Sequence, residues 1–271
     1  MTTIWSILLA ILIFGCIIAI HEFGHFIAAK RNGIQVNEFA IGMGPKIFHF
    51  QKGETLYSLR LFPVGGFCSM EGEDAESKNA RAFDQKPVWR RMIVVLAGAF
   101  MNLVLGFVLL IATTCSDPYL ISNTIHGFHE QATSNTCGLQ TGDTIVSLNG
   151  SHIFTITDLQ YKLSNESGEP FTVVVERDGK KVKLQDVTFR DQETNDWLDF
   201  SLEPQQKTVF HVLSYAAKDT VATGKLIWMS LIELVTGKYG IQDLSGPVGT
   251  VEVISNAATA GATAAERISS V

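Results

Sequence analysis

Two long apolar runs dominate the hydrophobic pattern of the chain and predict two membrane-spanning helices. The first covers Ile4 to Ala29 and the second covers Met92 to Thr114. At about 1.5 Å of rise per residue, each is long enough to cross a hydrocarbon core of roughly 30 Å. Both runs have their basic flank in the loop between them, residues 30 to 91, which holds ten Lys or Arg residues. The positive-inside rule therefore predicts that this loop is cytoplasmic and that the region after Thr114 is extracytoplasmic.

The first run is interpreted as a retained span, not as a cleaved signal peptide. Its first three residues, Met1 to Thr3, include no Lys or Arg, and no small-x-small cleavage site follows the apolar core. The apolar run also continues through a motif of ionisable residues, which cleavage would remove.

The cytoplasmic loop has the pattern of a membrane-associated β-hairpin. Ile47 to Phe50 and Thr55 to Leu61 read as two strands around a turn at Lys52 to Glu54. An exposed edge strand beside the membrane could pair with an extended substrate, and a small structural sheet is the alternative. The residues from Glu71 to Arg81 are polar and indicate a surface segment.

After the second run the chain becomes polar, with short strand patterns from about residue 120 to 205. A short helix is predicted at Thr157 to Leu163, and strands at Phe171 to Arg177 and Lys181 to Val187 face each other across an Asp-Gly turn. This pattern is typical of a small, partly open β-barrel. His211 to Val235 then has an amphipathic pattern, which predicts a helix lying in the membrane interface.

Composition supports a membrane protein and argues against nucleic-acid binding. The apolar content is 46%, the mean hydropathy is positive, and the net charge is −6, so there is no basic excess for a phosphate backbone. The cysteines have no CxxC pairing and are interpreted as small apolar residues; they are Cys16, Cys68, Cys115 and Cys137.

The candidate chemistry lies in the first run, at His21-Glu22-Phe23-Gly24-His25. Residues four apart share one face of a helix, so His21 and His25 can bind one zinc ion while Glu22 reaches a water on it. A histidine on a helix is often only a buried structural residue. Ionisable groups in a membrane-length apolar segment cost on the order of 2 to 3 kcal/mol each, which favours the metal site. In the second run, Gly98, Gly106 and Asn102 would allow close helix packing and an interhelical hydrogen bond, and all three are interpreted as packing residues, not catalytic ones.

Several motifs in this order resemble the bacterial site-2 proteases, the zinc metalloproteases of regulated intramembrane proteolysis. They are His21 to His25, Gly42 to Pro45, Gly53 to Thr55, Pro63 to Phe67, a PDZ-like segment at Gly138 to Gly150, and Leu244 to Gly249. The resemblance implies an α+β membrane protein with a reentrant hairpin and an inserted extracytoplasmic PDZ-like domain. It also implies Zn²⁺ as the cofactor, Glu22 as the catalytic residue, and cleavage of single-span substrates such as anti-sigma factors or signal-peptide remnants.

One family element is missing from this chain. The family's third zinc ligand is an Asp in a Leu-Asp-Gly sequence of a later helix, and no Leu-Asp-Gly occurs here. Asp243 is a poor substitute because its motif differs and because it lies outside a predicted span. We therefore expect a chain truncated at its C-terminus. The alternatives are an inactive membrane scaffold that binds peptides through the PDZ-like domain, and a membrane-anchored peptidase that cleaves soluble peptides.

The expected organisation assigns each part of the chain to one of five regions. They are a first transmembrane helix at 1–30, a cytoplasmic loop at 31–91, a second helix at 92–114, a PDZ-like domain at 118–206, and an interfacial helix with the start of a membrane region at 207–271.

Overall fold

The computed structural model describes residues 2–117, 119–130, 132–165, 170–189 and 198–237, together with residue 249. These residues form two compact units, one with residues up to Leu105 and one that begins at Gly106. The structure has mixed α and β character, as the sequence predicts. Asp243, the Leu244 to Val248 segment and the Ala-rich end lie outside the described residues.

Two long helices carry the apolar runs. Helix α1 spans Thr2–Arg31 and helix α2 spans Val88–Ser116, so each extends a few residues beyond the apolar run that predicts it. Both are long and apolar enough to cross a membrane. Helix α1 ends because Gly33 has a φ of 68° and the N–H of Ile34 turns back to bond the carbonyl of Ala29 at 2.9 Å.

The loop between these helices forms a sheet that is more elaborate than the predicted hairpin. Strand β1 spans Val36–Lys52 and strand β2 spans Thr55–Met70. Residues 38–41 of β1 pair with residues 56–59 on one side and with residues 66–69 on the other. Both strands bend, so each contributes two segments to the sheet. The segments at 48–52 and 66–70 lie at the two edges of the sheet. The predicted hairpin is one half of this sheet.

The second unit contains an antiparallel sheet with two helices. The elements are β3 (Leu120–Phe128), β4 (Thr144–Leu148), β5 (Ser151–His152), α3 (Ile156–Asn165), β6 (Phe171–Arg177), β7 (Lys180–Val187), β8 (Phe200–Gln205) and α4 (Val209–Val235). Strand order in the sheet is β7-β6-β4-β3-β8, with β5 paired to β4. The predicted hairpin of β6 and β7 is confirmed, because Arg177 pairs with Lys180 and both turn residues, Asp178 and Gly179, have positive φ. The assignment of this unit as a PDZ domain stays a prediction.

Helix α4 begins two residues before the predicted amphipathic segment. Thr208 caps it by accepting a hydrogen bond from the N–H of His211. Two of its charged residues have partners in the α3 region: Asp219 accepts hydrogen bonds from Thr155 and Thr157, and Lys225 pairs with Asp158 at 3.1 Å. Many of its apolar residues are exposed, including Phe210, Trp228 and Leu231. Within the described ranges, only α1 and α2 meet the length and hydropathy expected of a membrane span.

Candidate metal centre

The three residues of the candidate motif come together on the C-terminal half of α1. The Nε2 atoms of His21 and His25 lie 3.2 Å apart, and the possible ligand atoms of His21, Glu22 and His25 all lie within 4.8 Å of one another. All three side chains are half-buried. The spacing of four residues therefore places both imidazoles on one face of the helix, as predicted.

Helix α2 contacts both imidazoles on the ring edges that face away from the cluster. The backbone carbonyl of Val94 lies 2.7 Å from Nδ1 of His25, and the side-chain amide of Asn102 lies 3.3 Å from Nδ1 of His21. Hydrogen bonds at the second ring nitrogen orient histidine ligands and leave Nε2 directed at a metal. Val94 and Asn102 thus support the side chains of the motif.

Glycine at position 98 leaves room between the helices at the level of the imidazoles. A Cβ atom on Gly98 would lie 2.5 Å from Nε2 of His25 and 2.6 Å from Nε2 of His21. On α1, a Cβ atom on Gly24 would collide with the carbonyl oxygen of Ala97. The absence of side chains at these two positions therefore lets the helix backbones approach closely at the cluster.

The interhelical hydrogen bond that the sequence predicts for the second span is present at Asn102, and its partner is a histidine of the motif. Val94, Gly98 and Asn102 are four residues apart, so they share one face of the helix, and that spacing could have identified them. Close helix packing, as expected at Gly106, is not seen there, because a Cβ atom on Gly106 would have no atom within 4 Å among the described residues.

Strand β2 lies next to Glu22. A Cβ atom on Gly66 would lie 3.6 Å from Cγ of Glu22 and 2.9 Å from the carbonyl oxygen of Ala40. Two positions further along, Cys68 is buried, and burial together with the nearby Glu22 carboxylate raises the pKa of the thiol to about 12. The segment of β2 at one edge of the sheet therefore lies beside the carboxylate of the motif.

A polar anchor holds the turn of the sheet near the end of α1. The Glu54 carboxylate accepts hydrogen bonds from Lys30 at 2.7 Å and from Arg81 at 2.6 Å. These hydrogen bonds, Arg81 first, lower the pKa of Glu54 from its ordinary value of 4.5 to about 2. Lys30, Glu54 and Arg81 thus join α1, the sheet and the loop before α2.

The donor set and its spacing fit a zinc ion. Two nitrogen ligands of a tetrahedral zinc ion, each at about 2.0 to 2.1 Å, lie roughly 3.3 Å from each other. The Nε2 separation of 3.2 Å is close to that value, and Gly98 keeps side-chain atoms out of the space next to both nitrogens. A catalytic zinc ion usually has three protein ligands, whereas this cluster of described residues offers two imidazoles and Glu22. The geometry is thus that of a two-histidine metal site with an adjacent carboxylate, a class typical of metal-dependent hydrolases.

Comparisons with known proteins assign the chain to a family. Residues 9–268 match the family model described as peptidase family M50. The chain is 35% identical over 260 residues to a protein of Clostridium acetobutylicum named as an inferred zinc metalloprotease, with 95% of this chain and 76% of the relative covered. It is 28% identical over 346 aligned residues to the regulator of sigma-W protease RasP of Bacillus subtilis, with 94% of this chain and 81% of RasP covered.

The chain therefore belongs to peptidase family M50, the site-2 protease family. The resemblance identified from the sequence motifs is confirmed, and so is zinc as the cofactor, because the family is zinc-dependent. Together with its two span-length apolar helices, the family assigns the protein to the membrane metalloproteases.

Proposed function

We propose that this protein is a zinc-dependent intramembrane endopeptidase that cleaves transmembrane segments of single-span substrates. The observation that carries the proposal is the convergence of His21, Glu22 and His25 inside a span-length apolar helix. His21 and His25 would hold the zinc ion, and Glu22 would act as the general base.

The position of the cluster along α1 supports chemistry within the bilayer. Lys30 and Arg31 end the helix, and His21 is ten residues before Arg31, which corresponds to about 15 Å along a helix axis. If the basic pair lies at the membrane surface, the histidines lie well inside a hydrocarbon core of about 30 Å. A peptidase that acts on soluble peptides would have its site in water.

The chemistry divides between the metal and the residues of the chain. When bound, zinc supplies Lewis-acid activation of water and of the peptide carbonyl. Glu22 accepts a proton from the attacking water on a carboxylate oxygen and passes it to the leaving amine. His21 and His25 would hold the zinc ion through Nε2, because their Nδ1 atoms face Asn102 and Val94.

The sheet of β1 and β2 would hold the substrate next to the metal site. A peptide bond inside a helix is shielded by its own hydrogen bonds, so a transmembrane substrate has to unwind before hydrolysis. The edge segment of β2 from Gly66 to Met70 lies beside Glu22 and could pair with the unwound strand. The name of the Bacillus relative, a regulator of sigma-W protease, favours anti-sigma factors as the substrate class.

The rest of the chain would present substrates to this site. We propose that the loop from 30 to 91 is cytoplasmic and that the second unit is an extracytoplasmic PDZ-like domain that binds or screens the ends of substrates. The exposed apolar residues of α4 support an interfacial position for that helix, since they would be buried in the membrane interface, while Asp219 and Lys225 have partners near α3.

The decisive experiment compares the full chain with Glu22→Gln in proteoliposomes that contain a single-span model substrate. We expect the same zinc content in both proteins, because Glu22 is assigned as the base and not as a ligand. We also expect cleavage within the substrate's span by the wild type, and a rate lower by about 10²- to 10⁴-fold in the variant, because the proton acceptor is lost. Metal content and the cleavage site are measured in the same preparations by elemental analysis and mass spectrometry.

Other outcomes of this experiment would favour the rival functions. A chain that holds no zinc and still binds peptides through its second unit would be a scaffold. Faster cleavage of soluble peptides than of the embedded substrate would indicate a membrane-anchored peptidase. Unchanged cleavage by Glu22→Gln would remove Glu22 as the base.

A further inference from the structure

The two histidines of the cluster differ in what determines the position of the ring hydrogen. His25 places Nδ1 2.7 Å from the backbone carbonyl of Val94. A carbonyl oxygen can only accept, so Nδ1 of His25 carries the hydrogen and Nε2 keeps its lone pair. The backbone of α2 thus sets the tautomer of His25 without the help of any side chain.

His21 has a side-chain amide in the equivalent place. Nδ1 of His21 lies 3.3 Å from Nδ2 of Asn102, and Oδ1 of Asn102 is buried without a hydrogen-bond partner among the residues that the structure describes. An amide offers a donor at one end and an acceptor at the other, and the two ends have nearly the same shape. Asn102 can therefore present either group to the ring within the same space.

Only one of these two arrangements suits a metal ligand. A neutral imidazole has one ring hydrogen, so His21 can direct a lone pair from Nε2 only if the hydrogen is on Nδ1. If Nδ2 of Asn102 donates to Nδ1, the ring hydrogen moves to Nε2, which lies 3.2 Å from Nε2 of His25. The two rings would then form a hydrogen bond to each other, and neither Nε2 would be free.

We propose that Asn102 is a positioning residue that accepts a hydrogen bond from Nδ1–H of His21 through Oδ1 and so selects the metal-binding tautomer. This inference rests on the proposed zinc site and adds a function for the polar side chain in the middle of α2. In this orientation Oδ1 has a hydrogen-bond partner, and Nδ2 takes the buried position that Oδ1 otherwise occupies without one.

Two substitutions at this position separate the acceptor from the donor. Asn102→Asp keeps an oxygen acceptor of nearly the same size and removes the donor, whereas Asn102→Leu keeps the volume and removes both. In the full chain in detergent, competition with a chromophoric chelator should show zinc binding weaker by about 10- to 100-fold for Asn102→Leu. Asn102→Asp should keep the wild-type affinity, because a carboxylate also accepts from Nδ1–H.

Nitrogen-15 NMR of the histidine rings provides a readout that does not depend on activity. In the wild type and in Asn102→Asp, His21 should show the Nδ1–H tautomer, and in Asn102→Leu the two tautomers should mix. His25 is an internal reference in all three proteins, because Val94 contacts it through the backbone.

Three results would overturn the inference. They are unchanged zinc affinity in Asn102→Leu, equal losses of affinity in the Leu and Asp variants, and an Nε2–H tautomer for His21 in the wild type. The last measurement decides the matter even if Asn102→Leu does not fold. A wild-type chain that binds no zinc would contradict the proposed function instead, and the ring tautomers would still decide the role of Asn102.

Discussion

Buried polar groups are used differently in the two units of this protein. In the second unit, three buried carboxylates have hydrogen-bond or ionic partners: Asp143 with Arg177, Asp158 with Lys225, and Asp199 with Ser134. Each of these aspartates is at most 1% exposed. In the first unit, the carboxylate of Glu22 makes no hydrogen bond to any described residue, and the imidazoles of His21 and His25 direct Nε2 atoms at each other.

This difference separates structural groups from reactive ones. A buried carboxylate whose oxygens are paired has its desolvation cost offset and stabilises one fold. A carboxylate such as that of Glu22, which has no hydrogen-bond partner among the described residues and lies in an apolar segment, is costly and is expected where chemistry needs it. The contrast predicts that substitutions at the cluster of His21, Glu22 and His25 reduce metal binding or activity, whereas substitutions at the paired aspartates of the second unit reduce the free energy of unfolding.

The largest effect is expected from Gly98→Ala. The added Cβ would lie 2.5 Å and 2.6 Å from the two Nε2 atoms, so the imidazoles and the helix backbones have to move apart. We expect loss of measurable zinc binding, checked by elemental analysis of the purified chain. Gly106→Ala is the matched control on the same helix, because its Cβ meets nothing within 4 Å in the described part of the chain. Equal zinc content in the two variants would show that the site does not lie beside Gly98.

Arg177→Met tests the second unit, where the buried carboxylates are paired. The Asp143 carboxylate has no exposed surface and accepts two hydrogen bonds from Arg177, at 2.7 and 2.8 Å. Among the residues that the structure describes, removal of the guanidinium leaves this buried charge with only the N–H of Gln140 as a donor, which should lower the free energy of unfolding by about 3 kcal/mol. Denaturant unfolding of the second unit measures the loss, and zinc content should not change.

The double variant Asp143→Asn, Arg177→Met is the control for this substitution. It removes the buried charge along with its partner, so part of the lost stability should return. If the double variant is as unstable as the sum of the two single variants, the ion pair is not the source of the effect.

The smallest effect is expected from lowering the pH, which protonates Glu54 and weakens its hydrogen bonds to Lys30 and Arg81. Because the pKa of this carboxyl group is lowered from 4.5 to about 2 in the folded protein, its contribution to stability is complete above pH 4.5. The contribution is lost as the pH falls towards 2. Hydrogen exchange at the turn between β1 and β2 should therefore accelerate over this interval, to a small extent because the group lies near the surface. Glu54→Gln should remove this part of the pH dependence, and an unchanged profile in that variant would exclude the anchor as its cause.

Local spacing was enough to predict several elements and the candidate site. Two apolar runs predict α1 and α2, and a helix repeat of 3.6 residues makes His21 and His25 neighbours in any fold. The hairpin of β6 and β7 follows from two alternating strands and an Asp-Gly turn, which is also a local signal.

Such local patterns did not predict contacts between residues that are distant in the sequence. The register that pairs residues 38–41 with two different segments of β2 depends on bends in both strands, and a pattern of alternating residues does not specify it. The same limit applies to Asp143, whose partner is 34 positions away, at Arg177.

The sequence by itself determined the two span-length apolar helices, the His21, Glu22 and His25 motif, and the family. The tertiary structure alone decided that Val94, Gly98 and Asn102 face the histidines and that the edge of β2 lies beside Glu22. The physical reason is that repeats of side chains along a helix or strand set which residues share a face. Which face meets which partner depends on how whole helices and strands pack, and that is decided by contacts summed over the fold.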